Sequence, residues 1–134
     1  MYWAFEDVPK KLSHTVGGFT DYSFFENALK KFLEKNEKPK IYFFSTNNKN
    51  ISKLVENVKL LQKFESKVIT KETGYTDDLN TLWLITKFKK LIISNSTFYW
   101  WGAYFASTKY ENAEVISSSK FPNKDTNLEK WIIL

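Results

Sequence analysis

A chain of 134 residues can form one domain with a sizeable core, and its hydrophobic fraction of 43% argues against disorder. The absence of cysteine excludes disulfides and cysteine zinc sites and favours a reducing compartment. All 20 basic residues are lysines, so the net charge of +5 predicts a solvated basic surface and no nucleic-acid partner, which would favour arginine.

The hydropathy of the chain bears on its location. No apolar run reaches the ~20 residues that a membrane span needs. Residues 1–11 also lack an apolar stretch of signal-peptide length. We therefore expect a cytoplasmic protein with no membrane span. Peripheral attachment to the inner membrane is compatible with this expectation.

The first third of the chain contains one clear helix and one clear strand. Residues 1–19 lack periodicity and are predicted to be irregular. A helix capped by Thr20 or Asp21 follows, and then an apolar strand over 40–45. Asn50 is expected to cap the next helix.

A short strand over 67–70 precedes a helix that Thr76, Asp77 or Asp78 can cap. The side chains of this helix that are predicted to face inward are Leu79, Leu82, Trp83 and Ile85 or Thr86.

The last third predicts strands over 91–94 and 113–118 with an aromatic helix between them. That helix is apolar on nearly every side, which is typical of a buried helix. Gly102 is expected to lie close to a neighbouring strand. A short helix is expected over 125–128.

Strands therefore alternate with helices along the chain. This pattern predicts an α/β fold, namely one three-layer Rossmann-like domain over 1–134 with a parallel sheet. Ligands bind such sheets outside the carboxyl ends of the strands.

Two strand ends carry polar residues that can meet a ligand. One is Ser45-Thr46-Asn47-Asn48 and the other is Ser94-Asn95-Ser96-Thr97. The second precedes a helix, whose first turn offers unpaired amides and a partial positive charge for a diphosphate. The alternative is that Asn95 or Ser96 only caps the helix.

The remaining polar candidates are few. Asp77-Asp78 can serve as a base or metal-ligand pair, or as a helix cap. His14 is the one histidine and cannot build a metal site by itself. No residue is assigned as the catalytic base, and no metal ligands are assigned.

The segment NSTFYWWGA (95–103) is similar to the NS(S/T)FSWWGA signature of bacterial α-1,2-fucosyltransferases. The flanking segments IYFFS, LWLITKFKKLIISNST, SSSKF and EKW resemble the family in order and spacing. The similarity covers about residues 20–134. It implies the C-terminal, nucleotide-sugar-binding half of a GT-B glycosyltransferase, with the N-terminal half missing.

The resemblance implies an inverting, metal-independent enzyme without a cofactor, which transfers fucose from GDP-fucose to a galactoside acceptor in surface glycan synthesis. Its partners would be the sugar donor, a glycan acceptor, and a second copy or the missing half. The implied donor-binding residues are Asn95, Ser96, Thr97, Phe98, Ser45 and Asp78.

The alternative function is that of a non-catalytic Rossmann-like remnant that binds a nucleotide or a partner protein. The family carries an HxRRGD-type motif whose arginines contact the donor phosphates, and this chain contains no arginine. The family usually has an acidic residue upstream of its signature. The corresponding position in this chain is Thr81, and Asp78 lies nearby in the sequence.

Overall fold

A computed structural model describes residues 2–4, 21–35, 38–119 and 127–134. Within these ranges six parallel strands form one sheet in the order β3-β2-β1-β4-β5-β6. The strands are β1 (Tyr2–Ala4), β2 (Ile41–Phe44), β3 (Ser66–Ile69), β4 (Lys90–Ile93), β5 (Glu114–Ser117) and β6 (Ile132–Ile133). The α-helices are α1 (Tyr22–Leu33), α2 (Asn48–Asn57), α3 (Asp78–Ile85) and α4 (Thr97–Lys109). Short 3₁₀ helices lie at Lys59–Lys63 and Lys71–Thr73.

The strand order reverses direction at β1. Strands β2 and β3 extend the sheet to one side of β1, and β4, β5 and β6 extend it to the other. This is the order of a doubly wound sheet, in which ligands bind where the order reverses. The prediction of an α/β, Rossmann-like fold with a parallel sheet is confirmed.

The irregular structure predicted for residues 1–19 is wrong for residues 2–4. These residues form β1, which pairs Tyr2 with Tyr42 on one side and with Leu91 on the other. A three-residue strand is too short to show a periodic pattern, and it is specified by the two strands that flank it. The remainder of 1–19 lies outside the described residues.

Helices cover both faces of the sheet, because alternate residues of each strand point to opposite sides. Ile92 of β4 packs with α1 and α2, whereas Leu91 and Ile93 pack with α3 and α4. The first core consists mainly of Phe24, Phe25, Leu29, Phe32, Ile41, Phe43, Ile51, Leu54, Ile92 and Ile116. The second consists mainly of Phe44, Ile69, Ile85, Phe88, Leu91, Ile93, Tyr99, Ala103, Ala106, Val115 and Trp131.

Asparagine and aspartate side chains start the first two helices. Asp21 caps α1 by accepting a 3.1 Å hydrogen bond from the Phe24 amide, as predicted. Asn47, and not Asn50, caps α2, since Asn47 Oδ1 accepts from the Asn50 amide at 3.0 Å. The polar loop after β2 is therefore shorter than the sequence predicts, and Asn50 lies inside the helix.

Helix α3 exposes two side chains that were predicted to face inward. Leu79 is 74% exposed and Trp83 is 60% exposed, whereas Ile85 is buried. The helix has only eight residues, and the side that carries Ile85 packs on α4. Its apolar residues are spread around its circumference, so one packed side cannot cover them all.

Gly102 makes its close approach to a helix, and not to a strand as predicted. A Cβ atom added at Gly102 would lie 2.5 Å from the Cγ2 methyl of Ile85. The missing side chain therefore lets α4 pack closely against α3.

Helix α4 is not buried on every side. Tyr99 is buried and Trp100 stacks on Tyr104 with 5.3 Å between ring centroids, but Trp101 is 49% and Phe105 is 41% exposed. The sheet and α3 contact α4 on two sides only, which leaves the side with Trp101 and Phe105 open to solvent.

The C-terminal residues complete the sheet. Residues 132–133 form the edge strand β6, and Trp131 Nε1 donates a 3.0 Å hydrogen bond to Ser107 Oγ of α4. The short helix predicted over 125–128 falls largely outside the described residues, and Leu128 itself is not helical.

Candidate functional site

A cleft of about 230 Å³ opens at the carboxyl-end edge of the sheet. The residues after β2 and β3 form one side, and the first turns of α3 and α4 form the other. Its lining residues are Ser45, Thr46, Ile69, Thr70, Lys71, Tyr75, Asp78, Thr81, Phe98 and Tyr99. This is the edge at which doubly wound sheets bind ligands.

Three of the six residues that the sequence singled out line this cleft. They are Ser45, Asp78 and Phe98. Of the other three, Asn95 and Ser96 lie on the turn between β4 and α4, and Thr97 is the first residue of α4, directly before Phe98. Asn95, Ser96 and Thr97 therefore border the cleft without belonging to its lining.

The turn into α4 differs from an ordinary capped helix. Ser96 occupies the cap position and its carbonyl accepts a 3.0 Å hydrogen bond from the Trp100 amide, but its side chain makes no capping hydrogen bond. The ladder of a helix leaves its first amides unpaired. Ser96 and the first turn of α4 therefore keep donor capacity beside the cleft.

A buried hydroxyl lies next to this turn. Ser94 is fully buried at the end of β4, and its Oγ has no hydrogen-bond partner among the described residues. Ser96 is also buried, whereas Thr97 is exposed. The turn thus carries the buried hydroxyl groups of Ser94 and Ser96 and the exposed hydroxyl group of Thr97.

The loop after β2 is held by its own amide side chains. Ser45 donates its amide to the Ile69 carbonyl at 3.3 Å, and Asn50 Nδ2 lies 3.5 Å from both Ser45 Oγ and Thr46 Oγ1. Asn50, which was predicted as a cap, instead positions the two hydroxyl residues of the cleft.

Residues after β3 also line the cleft, and they are not among the predicted site residues. Thr70 Oγ1 donates a 2.6 Å hydrogen bond to Asn48 Oδ1, which joins the end of β3 to the start of α2. Lys71 contributes a basic side chain and Tyr75 an aromatic ring. β3 is parallel to β2 and β4, so its carboxyl end lies at the same ligand-binding edge, and this position is the signal that identifies these residues.

The two aspartates at the start of α3 have separate roles. Asp77 caps the helix, and its Oδ1 accepts from the Leu79 and Asn80 amides at 2.9 and 3.2 Å. Asp78 faces the cleft instead, together with Thr81 one turn later. The cap alternative therefore holds for Asp77 but not for Asp78.

The chemistry of the cleft follows from these groups. Lys71 can neutralise an anion, Asp78 can accept hydrogen bonds from a base edge, and Phe98 and Tyr75 offer aromatic surface. Among the described residues, no group of three His, Asp or Glu side chains could hold a metal ion. The arrangement suits an elongated polar ligand with an anionic part.

Comparisons with known proteins bear on the nature of that ligand. The family model described as Glycosyl transferase family 11 matches residues 5–134. Searches of curated proteins and of solved structures found no match. In the part of the chain that the structure describes, no helix has the length and apolar character of a membrane span. Because the family model matches residues 5–134, the chain belongs to glycosyl transferase family 11, the α-1,2-fucosyltransferase family.

Proposed function

We propose that this chain binds GDP-fucose in the cleft between the β2 and β3 ends and α4, and that it transfers the fucose to a galactoside acceptor. The observation that carries the proposal is the position of the signature turn 95–98, whose Phe98 lines a cleft at the carboxyl-end edge of the sheet. Nucleotide ligands of doubly wound sheets bind at this edge.

The diphosphate would lie against the start of α4. The first turn of this helix offers amides outside the helical ladder and the positive end of the helix dipole. Ser96 and Thr97 add hydroxyl donors, and Asn95 adds an amide side chain. These groups would stabilise the negative charge that develops on the GDP leaving group, where transition-state binding accelerates transfer.

The nucleoside would extend from there toward α3 and β2. Asp78 supplies a carboxylate that can accept hydrogen bonds from the N–H groups of a guanine edge. Ser45 lies on the opposite side of the cleft. Lys71 can contact a phosphate as a point charge, in place of the arginine fork that this sequence lacks.

Calorimetric titration with GDP and with GDP-fucose tests donor binding. We expect saturable binding of both compounds and none of adenosine diphosphate, because the adenine edge lacks the N1–H donor for Asp78. No heat from GDP at millimolar concentration would contradict the proposed site. Transfer of labelled fucose to a galactoside then tests the activity itself.

The substitution Ser96→Ala tests the role of the turn. It should weaken GDP binding by about 1–3 kcal/mol, the scale of one lost charge-assisted hydrogen bond. The matched control is Thr108→Ala near the other end of α4, where the hydroxyl bonds only to the Phe105 carbonyl. Equal affinities of both variants would leave Ser96 without a role in binding.

The second candidate function is nucleotide binding without catalysis. The lining of the cleft favours it, since Lys71 is the basic side chain there and no arginine fork is available within the lining for the donor phosphates. GDP binding without any fucosyl transfer would support this candidate, and measurable transfer would exclude it.

A further inference from the structure

Helices α3 and α4 expose large apolar side chains on the outer layer of the fold. Trp83 of α3 is 60% exposed, and Trp101 and Phe105 of α4 are 49% and 41% exposed. Leu79 of α3 is 74% exposed. Exposed aromatic residues on two packed helices mark an interaction surface more often than isolated apolar side chains do.

Lysines accompany these rings at the ends of both helices. Lys87 Nζ lies 3.9 Å from the centroid of the Trp83 ring. The side chain of Lys109, the last residue of α4, lies within hydrogen-bonding reach of Lys87 and lowers its pKa, as does desolvation. We call Trp83, Lys87, Trp101, Phe105 and Lys109 the aromatic–lysine face.

Within the described residues, no carboxylate forms an ion pair with either ammonium group of this face. The ion pairs of the described residues use other lysines. Two close ammonium groups repel each other, and an anion between them would relieve that repulsion. The face therefore offers apolar contact and an anion site together.

We propose that the aromatic–lysine face docks on the surface of an anionic phospholipid bilayer. Indole rings are favoured at the level of the lipid headgroups, and lysines can bury their stems there while their charges reach the lipid phosphates. A second copy of the chain is the competing occupant; a twofold contact with the helices of both copies parallel would bring the Lys87 and Lys109 charges of both copies together. The proposal is independent of the function of the cleft.

The position of the charges sets the orientation of the docked protein. Lys87 and Lys109 lie at the C-terminal ends of α3 and α4, whereas Asp78 and Phe98 of the cleft lie at the N-terminal ends. Anionic lipid attracts the C-terminal ends of the two helices, which carry the lysines. It repels the acidic residues at the start of α3. The cleft thus stays open to solvent in the docked protein.

Co-sedimentation with lipid vesicles tests the proposal. We expect the protein to sediment with vesicles that contain phosphatidylglycerol, to remain in solution with phosphatidylcholine alone, and to be released by high salt. The tryptophan emission should shift to shorter wavelength with the anionic vesicles, since Trp83 and Trp101 leave water. No sedimentation with anionic vesicles would overturn the proposal, as would equal sedimentation with both.

Two surface variants assign any binding to this face. Lys87→Gln/Lys109→Gln should reduce the partition coefficient by a factor of roughly 30, and Trp101→Gln/Phe105→Gln should reduce the emission shift, since only Trp83 of the two exposed indoles remains. The control Lys53→Gln/Lys59→Gln removes the same charge from exposed positions at α2 and the turn after it, on the opposite face of the sheet. An equal loss of vesicle binding in the control would show that only the net charge of the protein matters, and it would contradict the proposal.

Sedimentation velocity without lipid tests for a second copy as the occupant. We expect a monomer over the concentration range used with the vesicles. Self-association that Trp101→Gln/Phe105→Gln abolishes would overturn the lipid proposal and assign the face to a homodimer. Circular dichroism spectra that match the unchanged protein confirm that each variant is folded.

Discussion

Gly102 of α4 lies against Ile85 of α3, and a Cβ atom added at this glycine would lie 2.5 Å from the Ile85 Cγ2 methyl. Ile85 is itself buried, so it has little room to move away. The sequence predicts a close approach at this glycine, but the expected partner, a strand, is wrong. A glycine next to bulky aromatic residues indicates tight packing, but it does not indicate which element packs there.

The substitution Gly102→Ala should lower the free energy of unfolding. Overpacking a dense contact costs about 1–3 kcal/mol, which exceeds the gain of at most about 1 kcal/mol from replacing a helical glycine. Urea denaturation followed by circular dichroism measures the difference.

The same substitution in an Ile85→Ala background provides the control. Once the Cγ2 methyl is absent, Gly102→Ala should stabilise the protein by up to about 1 kcal/mol, because only the helix propensity remains. A destabilisation of equal size in both backgrounds would show that the contact with Ile85 is not the cause.

At the scale of elements, the paired aspartates before α3 show what sequence can and cannot assign. The pair was predicted as a cap or as functional ligands, and the structure divides these roles between them. Asp77 accepts the two amide hydrogen bonds of the cap, and Asp78 lines the cleft. Both residues suit both roles, and only the backbone direction at the start of the helix separates them.

Substitutions at the two positions should therefore have different effects. Asp77→Ala should destabilise the protein by about 1 kcal/mol, the usual cost of a lost cap, and leave GDP affinity almost unchanged. Asp78→Asn should weaken GDP binding with little change in the denaturation midpoint. Calorimetry and urea denaturation of both variants measure the two effects.

A loss of stability in Asp78→Asn that exceeds the loss in Asp77→Ala would contradict this division. That result would mean that Asp78 contributes more to the stability of the helix start than Asp77 does. Asn80→Ala serves as a reference variant in both measurements. Asn80 forms a hydrogen bond with Asp77 but does not line the cleft, so its loss should leave GDP affinity unchanged.

The parts of the structure that the sequence predicted share one property. They are helices and strands with enough residues to show a period, such as α1 and β4. The missed parts are β1, which is only three residues long, and the lining after β3, where Thr70 and Lys71 have no distinctive pattern. Exposure of Trp83 and Trp101 was also missed, because hydrophobicity alone does not tell a buried ring from one at an interaction surface.

At the scale of the whole molecule, β1 joins the two halves of the sheet. It pairs with β2 on one side and with β4 on the other, so its backbone N–H and C=O groups serve two ladders. Among the described strands, β6 lies at one edge of the sheet and pairs with β5 alone. The same backbone change should thus cost more in β1 than in β6.

Trp3→Pro should destabilise the protein by about 3 kcal/mol or more, since proline removes a ladder amide from a central strand. Ile133→Pro should have a small effect. The Leu134 amide bonds to the Ser117 carbonyl, so by alternation the Ile133 amide points away from β5. Thermal unfolding followed by circular dichroism compares the two.

Trp3→Ala keeps the amide and separates the loss of the side chain from the loss of the hydrogen bond. If Trp3→Ala lowered the melting temperature as much as Trp3→Pro, the backbone argument would be wrong. Equal effects of the two proline substitutions would show that β1 is no more important to the sheet than its edge.

The position of β1 also has a kinetic consequence. Tyr2 must meet Tyr42 and, much later in the chain, Leu91. Contacts between residues far apart in sequence slow folding, because the loop between them must be ordered first. We expect β1-β2-β3 to assemble as one unit and β4-β5-β6 as another. The β1–β4 ladder would then form last, in the rate-limiting step that brings the two sides of the cleft together.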